Sequence, residues 1–207
     1  MTRTRAKICG ITRSEDALAA ARFGADAIGL VFAARSPREL TAEAAAAIAS
    51  AVPPFVARVG LFLDADPAFV RAVCAAVPLE LLQFHGSEPA DYCRAFGRPY
   101  LKAIAMGDGL DAASRAREYP DAAALLFDAH ATGGQGGSGR SFDWTLIPRD
   151  LAQPVVLAGG LGPDNVAGAI AAVRPWAVDV ASGVESSPGV KDHGKMQRFI
   201  DEVRRAG

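Results

Sequence analysis

Residues 125–144, LLFDAHATGGQGGSGRSFDW, join an apolar run to a glycine-rich loop through one acidic residue. The apolar run begins at Ala122 and has the length of a strand buried on both faces, and Asp128 is the first charged residue after it. Five glycines between Gly133 and Gly139 allow the backbone to approach a ligand and to offer N–H groups to an anion. The stretch predicts a carboxylate beside a phosphate site. By itself the stretch fits a flexible surface loop with a solvated aspartate equally well, so the choice between these two interpretations depends on the rest of the chain.

Composition gives no indication of a nucleic-acid or membrane partner. The chain has 207 residues and a formal net charge of −1, from 22 basic and 23 acidic residues without a long block of either sign. No apolar run approaches the ~18 residues that would span a bilayer. The three cysteines, Cys9, Cys74 and Cys93, lack metal-ligand spacing, and no signal-peptide pattern precedes the first strand. We predict a reduced, cytoplasmic protein without a metal site.

Short apolar segments alternate with alanine-rich helical segments, which predicts parallel βαβ units. The eight predicted strands begin near Ala6, Ala27, Val56, Leu79, Tyr100, Ala123, Val155 and Ala177. Eight units leave about 26 residues each, enough for a strand, a helix and two short loops but not for a second domain. We therefore predict an α/β fold of the (βα)8 TIM-barrel type, as a single compact domain over residues 1–207. An open doubly wound sheet would favour a GxGxxG turn after the first strand, and none follows Cys9.

Several local signals predict where helices begin. Thr12 and Glu15 have the spacing of a capping box, Asp66-Pro67 offers an N-cap followed by proline, and Gly162-Pro163 offers the same proline placement. In the sixth unit the long loop leaves only a short helix, near residues 143–147. These helix starts place the strand carboxyl ends, and with them the active site, on one face of the barrel.

Two residues at predicted strand ends could carry proton transfer. Cys9 closes the first strand and precedes Gly10, which we expect to leave space around the thiol, although a free cysteine is more often a small buried apolar residue. Asp128 closes the sixth strand. For Cys74 and Cys93, inside helical segments, the buried structural role is the prediction.

Glycine-rich segments follow three neighbouring strands and predict a phosphate site. They lie at residues 136–139, 159–160 and 182–183, after strands six, seven and eight. Barrels of this kind frequently bind phosphate with the loops after strands seven and eight and a helix N-terminus. The predicted substrate-binding residues here are Gly137, Ser138, Gly139, Gly159, Gly160, Asp179, Ser182 and Gly183. A tight turn alone would explain any one of these segments, but it explains three together less well.

Two further side chains follow strands two and four. Arg38, in ARSPREL, could clamp a carboxylate through its planar guanidinium, whereas Arg35 fits an exposed loop position better. His85 lacks a recognisable nucleophile or second metal ligand as partner in the sequence, so we expect it to line the mouth.

Eight ordered segments resemble those of the phosphoribosylanthranilate isomerase family. They are KICGIT at 7–12, GADAIGLVF at 24–32, ARSPREL at 34–40, RVGLF at 58–62, LLQFHGSE at 81–88, GGSGRSFDW at 136–144, LAGGLGPDNV at 157–166 and DVASGVESSPGVKD at 179–192. The resemblance implies a (βα)8 barrel that catalyses an Amadori rearrangement of N-(5-phosphoribosyl)anthranilate in tryptophan biosynthesis. It implies Cys9 as general base, Asp128 as general acid, Arg38 for the anthranilate carboxylate and the glycine loops for phosphate.

The resemblance implies no cofactor and a phosphosugar-anthranilate substrate, and the sequence leaves monomer or homodimer open. The related aminoaldose isomerase of histidine biosynthesis is the alternative enzyme, but its members usually place acids at both catalytic strand ends, and Cys9 argues against it. A noncatalytic phosphosugar-binding barrel would keep the glycine loops but would not need Cys9 and Asp128 together.

Overall fold

Parallel strands form the centre of the structure, a computed structural model that describes residues 3–34, 36–107, 111–129 and 142–207. Within these residues the strands close into a barrel in chain order, each hydrogen-bonded to its sequence neighbours and the last paired with the first. The strands are β1 (Arg5–Ile8), β2 (Ala27–Val31), β3 (Ala57–Phe62), β4 (Leu81–Phe84), β5 (Tyr100–Ala105), β6 (Ala124–Asp128), β7 (Val155–Leu157) and β8 (Ala177–Val180). The predicted (βα)8 barrel is confirmed, and each strand starts within two residues of the predicted position.

Helices cover the outside of the barrel. Those in the described residues are α1 (Ser14–Phe23), α2 (Ala42–Ala51), α3 (Pro67–Ala76), α4 (Ala90–Arg94), α5 (Ala112–Arg117), α6 (Val166–Val173) and α7 (His193–Ala206). Between β6 and β7 the described chain has a 3-10 turn, Trp144–Leu146, at the place of the predicted short helix, and a second 3-10 turn, Ser182–Val184, follows β8. A two-stranded antiparallel hairpin, β9 (Glu185–Ser187) and β10 (Val190–Lys191), precedes α7.

The helix starts confirm one of the three predicted caps. Asp66 accepts a hydrogen bond from the backbone N–H of Ala68, with Pro67 in the first turn of α3. The predicted capping box at Thr12 is wrong, because α1 begins at Ser14 and the Thr12 hydroxyl instead donates to the carbonyl oxygen of Gly189. Pro163 is also not the first helical residue of α6, since a turn precedes that helix. The spacing of residues in the sequence reveals neither the bond from Thr12 to the distant Gly189 nor the turn that precedes α6.

The alternation of side chains along each strand separates two cores. On β6, Leu125 and Phe127 point outward and are fully buried against the helices, whereas Ala124 and Leu126 point into the barrel. Asp128 continues this inward series at the carboxyl end of the strand. Apolar side chains therefore fill the barrel centre, and Asp128 lies above them at the carboxyl end of β6.

Among the described residues, no helix is both long and apolar enough to cross a lipid bilayer.

Candidate active site

A cavity opens at the carboxyl-terminal ends of the strands, where (βα)8 enzymes carry their active sites. The described residues that line it are Cys9, Val31, Ala33, Ala34, Ser36, Pro37, Arg38, Leu61, Leu63, Gln83, His85, Asp128, Asp179 and Ala181. Cys9 and Asp128, the two predicted catalytic residues, thus border one cavity. They belong to β1 and β6, which β7 and β8 separate in the barrel, so they approach its contents from different sides.

Cys9 lies directly after β1 and is only 5% exposed. Its backbone N–H donates to Val180 on β8, which fixes the position of the thiol at the top of the barrel. The space for the sulfur is provided by Gly29 on β2, where a Cβ atom would lie 2.6 Å from Cys9 Sγ. Burial raises the pKa of the thiol, and the positive charge of Lys7 is the largest influence that opposes this rise.

Asp128 faces a histidine across the cavity. The nearest approach between them is 3.8 Å, from His85 Nε2 to Asp128 Oδ2, with both side chains largely shielded from solvent. Gln83 Nε2 lies 3.0 Å from His85 Nδ1. The contact with the Gln83 amide orients the His85 ring so that Nε2 points towards Asp128. His85 lines the mouth as predicted, but its position between Gln83 and Asp128 was not foreseen.

Arg38 makes a buried, bidentate ion pair with Glu185. Its Nε and Nη2 atoms lie 2.8 and 2.7 Å from the two carboxylate oxygens, and Lys191 Nζ lies 2.8 Å from Glu185 Oε1. Gly10, at φ +71°, allows the approach of Arg38, since a Cβ there would lie 2.3 Å from Arg38 Cδ. Burial raises the pKa of Glu185, but the hydrogen bonds and charges of Arg38 and Lys191 outweigh it and lower the pKa overall.

A second buried ion pair lies beneath Cys9. Lys7 on β1 is paired in register with Asp179 on β8, and Lys7 Nζ is 2.9 Å from Asp179 Oδ1. Both side chains are almost completely shielded from solvent. Asp179, predicted to bind substrate, therefore lines the cavity with one oxygen already bound to a lysine.

The glycine loops after β7 and β8 are packed against each other. A Cβ on Gly183 would lie 1.9 Å from the carbonyl oxygen of Leu161, so only glycine permits this contact. Gly159 and Gly160 have φ angles of +83° and +65°. These residues and Ser182 are half-buried and lie outside the described lining of the cavity. Gly137, Ser138, Gly139 and Arg35 lie outside the described residues.

Sequence reasoning places Lys7 and Gln83 at the ends of strands, near the mouth, without a specific role, and it does not single out Glu185 or Lys191. All four lie in the segments that carried the family resemblance, which is the signal that could have singled them out. The sequence could not predict which of these residues form pairs, because the Arg38–Glu185 contact joins residues 147 positions apart. Within the part of the chain that the structure describes, no cluster of three or more His, Cys, Asp or Glu side chains could hold a metal ion.

Comparison with known proteins identifies the family. The family model for N-(5'-phosphoribosyl)anthranilate (PRA) isomerase matches residues 6–202. The chain belongs to this family. A relative from Pseudomonas fluorescens with the name N-(5'-phosphoribosyl)anthranilate isomerase is 53% identical over 206 residues, which cover 100% of this chain and 98% of the relative.

Solved structures of the PRA isomerase family have the same barrel. The crystal structure of the Thermotoga maritima phosphoribosyl anthranilate isomerase is 43% identical to this chain, with a TM-score of 0.88 and coverage of 98% of this chain and 99% of that one. A second structure, 40% identical with a TM-score of 0.86 and the same coverage, contains reduced 1-(o-carboxyphenylamino)-1-deoxyribulose 5-phosphate. The predicted family is confirmed.

Proposed function

We propose that this chain rearranges N-(5-phosphoribosyl)anthranilate to 1-(2-carboxyphenylamino)-1-deoxyribulose 5-phosphate with Cys9 as general base and Asp128 as general acid. Membership of the family makes the chain an isomerase of tryptophan biosynthesis. The proposal adds to this family assignment the roles of Cys9 as base and Asp128 as acid. The observation that carries them is that Cys9 and Asp128 line one cavity from different sides.

The reaction needs an acid and a base at different atoms of the sugar. Asp128 in its protonated form gives a proton to the ring oxygen, the C1–O bond breaks, and the nitrogen lone pair forms an iminium ion. Cys9 as thiolate then takes the proton from C2, and the electrons of that C–H bond form the C1=C2 double bond and neutralise the iminium. Side chains that approach from β1 and β6 suit these two transfers.

Arg38 can receive the anthranilate carboxylate without leaving Glu185. The Glu185 pair uses Nε and one hydrogen of Nη2, which leaves the Nη1 end of the guanidinium for another acceptor. Arg38 lies after β2, on the side of the cavity away from Asp128. The aromatic ring would then extend away from the reacting carbons.

The ribose phosphate would bind at the loops after β6, β7 and β8. Gly159, Gly160, Ser182 and Gly183, together with Gly137, Ser138 and Gly139, supply backbone N–H groups and small side chains suited to an anion. The mutual packing of the β7 and β8 loops supports a common site. We assign Asp179 to the floor of the cavity, where it faces the substrate.

Four broader expectations remain part of the proposal. The enzyme needs no cofactor, because proton transfers complete the rearrangement. It acts in the cytoplasm as a single domain over residues 1–207, and it is a monomer or a homodimer. For the dimeric phosphoribosylanthranilate isomerase of Thermotoga maritima, a crystal structure of engineered monomers has been solved.

The assignment of Asp128 is tested by Asp128→Asn, which keeps the shape of the side chain and removes its acidity. We expect kcat to fall by roughly 10²-fold or more with little change in KM, the usual contribution of a general acid. Substrate consumption is followed by the fluorescence of its anthranilate group. Asp201→Asn, an exposed change on α7, is the matched control and should keep wild-type kinetics. Wild-type turnover by a folded Asp128→Asn enzyme would end the assignment.

A further inference from the structure

Lys7 is a buried lysine with no place in the proton transfers described above. It is only 4% exposed and is not among the described residues that line the cavity. A buried ammonium is costly unless it is paired and hydrogen-bonded, and here the pair is Asp179. Stability alone does not explain a lysine at this position, since two apolar residues of similar volume are often no less stable than a buried ion pair such as Lys7–Asp179.

The strand geometry brings Lys7 to Cys9. The two residues are separated by Ile8, which points outward into the core between strands and helices, so Lys7 and Cys9 share the inner face of β1. Asp179 fixes the ammonium from the neighbouring strand at 2.9 Å. Lys7 therefore lies beneath the thiol as a cation whose position is set by the β1–β8 pairing.

Two lysines favour a negative sulfur at Cys9, whereas burial and Asp179 oppose it. Burial raises the pKa of Cys9 and the negative charge of Asp179 adds to that rise, while the positive charge of Lys7 and, less strongly, that of Lys191 lower the pKa, which stays raised overall. Burial lowers the pKa of Lys7, but Asp179 and Cys9 outweigh it and raise the pKa overall, so the ammonium stays charged. Among the described residues, the other charged or titratable groups that line the cavity are Asp179 on β8, Arg38 after β2, His85 after β4 and Asp128 on β6.

We propose that Lys7, held by Asp179, is a positioning residue that stabilises the thiolate of Cys9 and so enables Cys9 to accept the C2 proton. This rests on the proposed role of Cys9 as the base. The thiol first loses its proton to solvent, and the thiolate is held by the ammonium. In the reaction the S–H bond forms as the C2–H bond breaks, while Lys7 keeps all of its protons.

The test measures ionisation of Cys9 directly. In a Cys74→Ser, Cys93→Ser background, the rate of alkylation by iodoacetamide is followed against pH, because only the thiolate reacts. The decisive variant combines Lys7→Met with Asp179→Asn, which removes both charges and leaves no unpaired buried ion. The midpoint is the pH at which alkylation reaches half of its maximal rate, and we expect it to rise by at least about one pH unit in this variant. We also expect kcat at neutral pH to fall at least about tenfold and to recover as the pH is raised.

Further variants sharpen the test. Lys7→Arg keeps the charge and should keep the midpoint near that of the parent protein. Asp179→Asn alone leaves the ammonium unneutralised and should lower the midpoint, the opposite direction. Lys102→Met combined with Glu88→Gln removes another buried lysine and its partner, which lie on β5 and in the loop after β4, and should leave the midpoint unchanged. A merely structural role for Lys7 would not produce shifts of opposite sign.

The outcomes separate this inference from the proposed function. An unchanged midpoint in the double variant, with Cys9→Ala inactive, would overturn the role of Lys7 and leave Cys9 as the base. Wild-type activity of Cys9→Ala would overturn both. A raised midpoint with inactive Cys9→Ala supports both.

Discussion

At the scale of single residues, the site depends on two glycines that leave space for the side chains of Cys9 and Arg38. Gly10 was expected to give Cys9 its space, but the structure assigns that role to Gly29, whose missing Cβ accommodates the sulfur, while Gly10 accommodates Arg38. The expectation failed because adjacency in sequence is not adjacency across a barrel. Gly29 lies on β2, the strand beside β1, and only strand pairing brings it to the thiol.

The kinetics of two variants should distinguish the role of Arg38 from that of the proposed catalytic residues Cys9 and Asp128. A guanidinium bound to a carboxylate remote from the reacting carbons contributes to ground and transition states alike, so Arg38→Ala should raise KM more than it lowers kcat. Cys9→Ala should do the reverse, with kcat lower by roughly 10²-fold or more, because a base acts on a proton in transfer. Steady-state kinetics of both enzymes provide the measurement.

Arg38→Lys is the control that keeps the positive charge but removes the planar guanidinium that can bind a carboxylate through two hydrogen bonds. It retains the positive charge beside Glu185, so an intermediate KM is expected. A collapse of kcat in Arg38→Ala with unchanged KM would mean that the arginine takes part in the chemistry.

At the scale of elements, the loops after β7 and β8 form one surface because glycine lets them touch. Leu161 and Gly183 come from different βα units, and their contact leaves no room for a side chain. The positive φ angles at Gly159 and Gly160 turn the chain sharply after β7. Two adjacent loops held in this way form a fixed surface, on which the proposed phosphate site depends.

A negative charge on this surface should repel the phosphate. Gly160→Asp is expected to weaken binding of both substrate and inorganic phosphate by at least about tenfold, the effect of placing like charges within a few ångströms in a partly shielded site. The control is Gly97→Asp, since Gly97 has a nearly equal φ of +63°, against +65° for Gly160, but lies before β5 at the opposite end of the barrel. Titration calorimetry with phosphate gives the affinities, and equal affinity in both variants would place the anion site elsewhere.

At the scale of the whole molecule, a buried aspartate fastens the first βα unit to the last. Asp16 on α1 is fully buried and accepts hydrogen bonds from Arg13 at 2.9 and 3.0 Å, from His193 at 2.8 Å and from the backbone N–H of Lys191 at 3.2 Å. The β1–β8 pairing closes the barrel at the same junction. Asp16 therefore also holds β10 in the position from which Lys191 reaches Glu185.

Removing the charge of Asp16 should weaken this closure. Burial raises the pKa of the carboxyl, but hydrogen bonds from Arg13, His193 and Lys191 outweigh it and lower the pKa overall. Its stabilising effect is therefore present above the unfolded value of about 4 and is lost as the pH falls through the lower folded value. Asp16→Asn should reduce the free energy of unfolding at pH 7 by about 1–3 kcal/mol, and the difference from wild type should narrow below about pH 4.

Urea unfolding at a series of pH values measures this difference. Asp91→Asn, an exposed change on α4, is the control and should alter stability by less than about 0.5 kcal/mol. A difference from wild type that stays constant down to the acid limit would show that ionisation of Asp16 is not its cause.

The sequence by itself determined the barrel, because eight apolar strands in regular alternation with helices have few other ways to bury their surfaces. It also indicated Cys9 and Asp128 as candidates, since each follows a buried strand and the carboxyl ends of parallel strands meet on one face. Tertiary structure decided which groups surround them. The pairs Lys7–Asp179 and Arg38–Glu185 and the contact of Gly29 with Cys9 all join residues on different βα units. Such contacts follow from strand register and barrel closure, and no local pattern in the chain encodes them.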